Sequence, residues 1–199
     1  MERTKYLDRA EAKRLRDSCS TEAAVDARNG RVRGPLAWLL VDLALGTGLR
    51  VCELASLTWA DIDFRRRGLW VNRRKRRKPA REFIPLGLEL RQHLQAVAGP
   101  SPEGPIFTGK RGPLSRPGLQ ALWRAAVTRA GLQSCGIHAA RHTYAVELLA
   151  ATGNLRQVQL NLGHTRIDMT AQMYADVQWS DRLAGVDAMY RQDVPGAAS

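Results

Sequence analysis

Hydrophobic positions along the chain recur first at helical spacing, then at strand spacing, then at helical spacing again. Asp8 followed three residues later by Glu11 has the capping-box pattern, in which each side chain accepts the other residue's backbone N–H, and it predicts a helix running toward Ser18. Pro35 suits the first position of an apolar helix that ends near Gly46, because proline lacks an N–H where none is needed. Gly46-Thr47-Gly48 then predicts a turn, and Val51 to Leu57 a short helix. Beyond it the period drops to two. Ile62-Asp63-Phe64 and Gly68-Leu69-Trp70-Val71 alternate as strands, and Glu82-Phe83-Ile84-Pro85 reads as a returning strand, which predicts a small antiparallel sheet. Leu86 to Val97 is again helical, and the glycines and prolines of 99–105 mark a loop. Ser115-Arg116-Pro117 caps a helix to about Ala130. The last third is predicted helical to about Tyr190, with a frayed tail over 191–199. The expected class is therefore mainly α with a small antiparallel β-sheet (α+β).

Length and composition narrow the class further. With 199 residues and 44% hydrophobic content, the chain fits one large globular domain or two small ones, with enough apolar content for a real core. Its 31 Lys and Arg against 19 Asp and Glu leave a net charge of +12, which favours a polyanionic partner, nucleic acid first. Cys19, Cys52 and Cys135 are odd in number and widely spaced, which argues against a disulfide framework or a zinc site and suits a reducing cytoplasm. The apolar run from Leu36 to Leu45 is interrupted by Asp42 and is too short for a bilayer, and Met1 to Lys5 lead into no signal-type core, so neither membrane nor export is expected.

The densest charge lies around the predicted hairpin. Arg65-Arg66-Arg67, then Arg73, Arg74, Lys75, Arg76, Arg77 and Lys78, then Arg81, hold about a third of the basic residues. On a strand-turn-strand element such cations form a comb that can follow a phosphate backbone, so Arg73, Arg74, Arg76, Arg77, Lys78 and Arg81 are expected DNA contacts.

Candidate chemistry sits elsewhere, in Arg50 and in the stretch from Gly136 to Tyr174. Breaking a phosphodiester without a metal requires fixed cations around the two non-bridging oxygens, and guanidinium suits this because it stays charged and donates two parallel hydrogen bonds. Arg50 and Arg141 are such clamps from separate parts of the chain. His138 lies three residues before Arg141, so a helix would put both on one face, where the imidazole can touch the same phosphate or act on the nucleophile's proton. His164 follows Leu162-Gly163, a helix-ending glycine, and can add a further hydrogen bond. Tyr174 carries a phenol able to attack phosphorus and form a covalent phosphotyrosine.

With these residues in this order, the chain from about residue 7 to 177 resembles the tyrosine recombinases, the phage-integrase family. Gly46-Thr47-Gly48-Leu49-Arg50-Val51-Cys52-Glu53-Leu54 looks like the family's first arginine box, with Glu53 as the acidic residue supporting the site. Ile137-His138-Ala139-Ala140-Arg141-His142-Thr143 looks like the second box, Leu162-Gly163-His164 like the third motif, and Tyr174 falls at the nucleophile. The resemblance implies a lysine on the hairpin as general acid for the leaving 5′ oxygen; Lys75 fits best and Lys78 is its rival. The interval from His164 to Tyr174 is one residue longer than is usual in the family, which predicts a bulge or a shifted helix start.

The resemblance further implies a catalytic-domain fold without the family's N-terminal core-binding domain, as in the short fimbrial phase-variation recombinases or in a truncated integrase. It implies strand cleavage and rejoining through a 3′-phosphotyrosine, with neither metal nor cofactor. Four protomers would act on double-stranded DNA, with room for accessory DNA-bending proteins, in the bacterial cytoplasm at the nucleoid. Residues 178–190 would form a C-terminal helix that docks on a neighbour. Two other classes use the same features: a topoisomerase-like nicking-closing enzyme, and a DNA-binding regulator that keeps the fold without the chemistry.

Overall fold

The structure, a computed structural model, describes residues 6–73 and 80–163. Helix α1 spans Arg9–Arg28, and Asp8 and Glu11 form the reciprocal capping box, with Glu11 N–H donating to Asp8 Oδ1 at 2.8 Å and Asp8 N–H to Glu11 Oε2 at 3.0 Å. The helix runs ten residues past Ser18 because its buried stripe continues through Cys19, Ala23 and Asp26, and nothing breaks it before Asn29-Gly30. Helix α2, Arg33–Thr47, packs along α1, with Leu39, Leu40, Leu43 and Leu45 fully enclosed. Pro35 falls in its first turn, where a missing N–H leaves no intrahelical bond unmade. Gly48, at φ +62°, ends α2, and the short α3, Val51–Leu54, follows at once.

A three-stranded antiparallel sheet then forms from β1 (Ile62–Asp63), β2 (Gly68–Arg73) and β3 (Ala80–Pro85), in the order β1-β2-β3. In the β2–β3 register Leu69 faces Ile84, Val71 faces Glu82 and Arg73 faces Ala80. Successive side chains leave opposite faces of a strand, so Leu69, Val71 and Arg73 share the inward face while Trp70 and Asn72 point outward. Helix α4, Leu88–Ala98, is tied to α2 by His93, whose Nδ1 lies 2.8 Å from Asp42 Oδ2 and whose ring stacks on Trp38.

A two-residue pair, β4 (Thr108–Gly109) with β5 (Gly112–Pro113), precedes α5, Arg116–Arg129, and was too short to register in the hydrophobic pattern. Trp123 of α5 is buried, and its indole N–H donates to Cys135 O at 3.1 Å, which fixes the segment entering α6, His138–Thr152. Thr143 of α6 holds the chain's beginning. Its Oγ1 accepts Leu7 N–H at 2.9 Å and donates to Leu7 O at 3.2 Å. Helix α7, Leu155–Leu162, packs on α6 through a small cluster of Ala145, Val158 and Leu162, all fully buried. Burying the last two side chains stabilises the α6–α7 contact by about 1.5–3 kcal/mol each. Among the described residues no helix is long and apolar enough to cross a membrane.

Candidate active site

Two arginines from different elements converge on one carboxylate, and a third is held close by on backbone carbonyls. Arg50 precedes α3, and the start of that helix turns Glu53 back toward it: Arg50 N–H donates to Glu53 Oε2 at 2.8 Å and Arg50 Nη1 to Glu53 Oε1 at 3.0 Å. Arg73 comes in from the inward face of β2 and donates from Nη1 to Glu53 Oε2 at 2.9 Å. Its Nε donates to Glu82 Oε2 at 3.1 Å and its Nη2 to Asn161 O at 2.7 Å.

Arg141, one helical turn into α6, spends two of its donors on backbone. Nη1 donates to Gly48 O and Nη2 to Leu162 O, both at 2.7 Å. Two carbonyls at the end of α7, Asn161 and Leu162, are thus capped by the two guanidiniums, and a cation at a helix C-terminus also suits the dipole. The close approach depends on glycine. A side chain at Gly48 would come within 2.6 Å of the Tyr144 ring and 2.8 Å of Leu162, in a left-handed conformation that disfavours other residues.

Charge is unevenly matched here. Burial alone would raise the Glu53 pKa, but the Arg73 charge, the Arg50 N–H and the Arg50 charge outweigh it and hold the carboxyl below its ordinary 4.5. Arg141 is disfavoured as a cation: burial first, then repulsion by Arg50, lowers its pKa to about 9. It therefore remains charged at neutral pH, and a bound anion would relieve both costs. Tyr144, whose hydroxyl accepts from Asn161 Nδ2 at 2.9 Å, is pushed above 10 chiefly by burial, so its phenol stays protonated and positions α7.

Because Glu53 is only 5% exposed and serves two arginines, Glu53→Gln is expected to cost roughly 3 kcal/mol or more in urea unfolding at pH 7, by leaving Arg73 short of a counter-charge. The sign follows from the lowered pKa: this stability is present above the unfolded carboxylate's pKa and is lost as pH falls through the lower folded value. The gap between the two proteins should accordingly close on acidification. An equal gap at pH 7 and pH 3 would rule out the charge as its source.

A model of the phage integrase family matches residues 5–180. The chain belongs to that family. A tyrosine recombinase XerC of Bradyrhizobium diazoefficiens is 33% identical over 198 residues, covering 92% of this chain and 58% of the relative. A XerC of Roseiflexus castenholzii is 35% identical over 144 residues, covering 68% of this chain and 45% of the relative. The chain spans about half the length of the curated relatives it matches. Among solved structures, XerA recombinase superimposes with a TM-score of 0.73 at 24% identity, covering 96% of this chain and 66% of that one. A lambda integrase dimer bound to a core site gives 0.68 at 21%, covering 90% and 51%. The fold is that of a tyrosine recombinase catalytic domain.

Within this phage integrase family member the structure bonds Arg50 to Glu53 and holds Arg141 nearby on the Gly48 carbonyl, close enough for the two arginines to repel each other. His138 opens α6 on the exposed side and meets the His142 ring edge-on at 4.9 Å. Arg81 is on the outer side of β3, half-exposed, bonded to Asp61 Oδ1 at 2.9 Å and lying over the Trp70 ring.

Arg73 is a correction. Expected as a DNA contact, it is 2% exposed, because β2 extends to it and strand alternation turns it inward with Leu69 and Val71. The alternation that began at Gly68 already carried that signal, whereas its partner Glu82 left no mark in the sequence as a site residue. Lys75, Lys78, Arg74, Arg76, Arg77, His164, Tyr174, the interval between the last two and the docking helix lie outside the described residues.

Proposed function

We propose that this chain is the catalytic domain of a site-specific DNA recombinase that cleaves and rejoins strands through a 3′-phosphotyrosine. The observation that carries this is the anchoring of Arg141 on the carbonyls of Gly48 and Leu162, which sets a buried cation near the half-buried Arg50, where the carboxylates that pair with this cluster among the described residues are Glu53 and Glu82. Such a site suits a phosphodiester. The Tyr174 oxygen forms the new bond to phosphorus as the bond to the 5′ oxygen breaks. The phenolic proton passes to His138 or solvent, and Lys75, with Lys78 as the rival, returns a proton to the leaving oxygen. Arg50, Arg141, His138 and His164 hold the phosphate oxygens, while Glu53 orients Arg50. A 5′ hydroxyl of a second strand reverses the step, and the phosphotyrosyl bond conserves the energy between the two.

Double-stranded DNA is the partner on this reading, gripped by Arg74, Arg76, Arg77, Lys78 and Arg81, with four protomers at two sites and residues 178–190 docking on a neighbour. The solved structures of similar fold include a transposon integrase complexed with transposon end DNA and a lambda integrase dimer on a core site. By analogy the role here is movement of a mobile element, at the nucleoid of a bacterial cytoplasm.

The test is to express the protein in bacteria, stop the cells with detergent, purify protein-linked DNA and sequence the attached ends against an empty-vector control. Protein joined to 3′ ends at a recurrent site is the expected result. DNA retained without covalent linkage would replace this reading with the binding-only regulator, and relaxation of supercoils without a recurrent site would replace it with the topoisomerase-like enzyme.

A further inference from the structure

We propose that Arg73 is a positioning residue for strand cleavage: one buried guanidinium that sets the first arginine box, the base of the hairpin and the end of α7 at fixed distances from one another. Every direction in which it donates goes to a different element. Nη1 reaches Glu53 at the start of α3, Nε reaches Glu82 of β3, and Nη2 reaches the Asn161 carbonyl of α7.

Each of those elements leads to a group needed for the chemistry. Glu53 passes the restraint to Arg50, through its other carboxylate oxygen at 3.0 Å. On β2 and β3, Arg73 pairs with Ala80, the last register before segment 74–79, whose sequence holds Lys75 and Lys78, so the two strands are pinned where that segment begins and ends. At α7 the guanidinium packs against Gly163, where a Cβ would fall 2.6 Å from Nε and 3.0 Å from Cζ. Gly163 is the last described residue before His164 in the sequence, so this contact restrains the end of α7.

A planar, forked cation can satisfy three acceptors in fixed directions, whereas a lysine offers a point charge on a flexible stem. Nothing else in the described structure joins these three elements at one atom group. Its 2% exposure keeps Arg73 from touching DNA itself, so it acts through Arg50 and through the placement of its neighbours.

This assignment rests on the strand-transfer chemistry proposed above, and the experiment separates the two. Wild type, Arg73→Gln and Arg73→Lys are compared on duplex DNA carrying the site recovered by adduct sequencing, with cleavage measured at saturating protein and binding measured on mixed-sequence duplex over a salt series. Arg73→Gln is expected to cleave roughly 100-fold more slowly, as for a small misplacement of reacting groups, with duplex affinity and salt slope unchanged. Arg73→Lys, which keeps a charge beside Glu53 but not all three bonds, is expected to fold with a lower melting temperature than wild type and to recover about tenfold of the lost rate. It carries the test if the glutamine variant does not fold.

Cleavage by Arg73→Gln or Arg73→Lys at the wild-type rate would overturn the assignment. So would a salt slope shallower by about 0.9 with cleavage intact, the sign of a lost phosphate contact. Absence of adduct from the wild type itself would remove the strand-transfer reading, and this assignment with it.

Discussion

Tyr174→Phe is expected to yield no covalent DNA adduct while binding duplex DNA as tightly as the wild type. The substitution removes one oxygen and keeps the ring, so the only loss is the atom proposed to bond to phosphorus. An arginine clamp alone stabilises a pentacoordinate phosphorus but cannot retain a strand, because water attack would release it. Binding should be untouched, since affinity for duplex DNA comes from cations along the backbone and scales with the number of phosphates contacted. The measurement is denaturing electrophoresis of protein with labelled DNA, beside a filter-binding titration of the same preparations. An adduct that persists in the phenylalanine variant would assign the nucleophile to another residue. Tyr144 is a poor substitute: its hydroxyl is engaged by Asn161 and burial raises its pKa.

Arg141→Ala is expected to reduce cleavage at saturating DNA by at least about 100- to 1000-fold, the usual effect of losing one donor aimed at developing charge. Its effect on stability should be much smaller, because two contributions oppose each other. Removing the side chain leaves the carbonyls of Gly48 and Leu162 without their donors, at about 1–3 kcal/mol for each acceptor that water does not reach. It also removes a buried cation that Arg50 and Arg73 repel, the repulsion that with burial brings its pKa to about 9. That release offsets part of the loss. Rate and stability should therefore separate, with a fall in rate far larger than the shift in urea midpoint explains. Proportionate losses in both would make Arg141 a structural strut. Arg141→Lys should keep the charge without the fork that reaches both carbonyls, and so should not restore the rate.

The site was legible in proportion to how local its parts are. Arg50 and Glu53 lie within one turn, and the short helix after Gly48 brings them into contact, so a nine-residue segment contains both the motif and the geometry that supports it. His138 and Arg141 likewise belong to a single turn of α6. Arg73 was misjudged because a run of basic residues reads as one surface, whereas the strand continuing beneath that run sends alternate residues to opposite faces.

Helix starts at Asp8 and Ser115 and the glycine turn at Gly48 were set by sequence alone. Each is set by backbone sterics or by hydrogen bonds between residues three or four apart, and no distant partner is needed. Tertiary structure alone decided that Arg141 would grip the carbonyls of Gly48 and Leu162, that Glu82 would join Glu53 around Arg73, and that the end of α7 would be capped by two arginines. Those bonds join elements far apart in the chain. They form only because burial of α2, α6, α7 and the sheet on common cores strips water from the polar groups, and each must then find its partner within the protein.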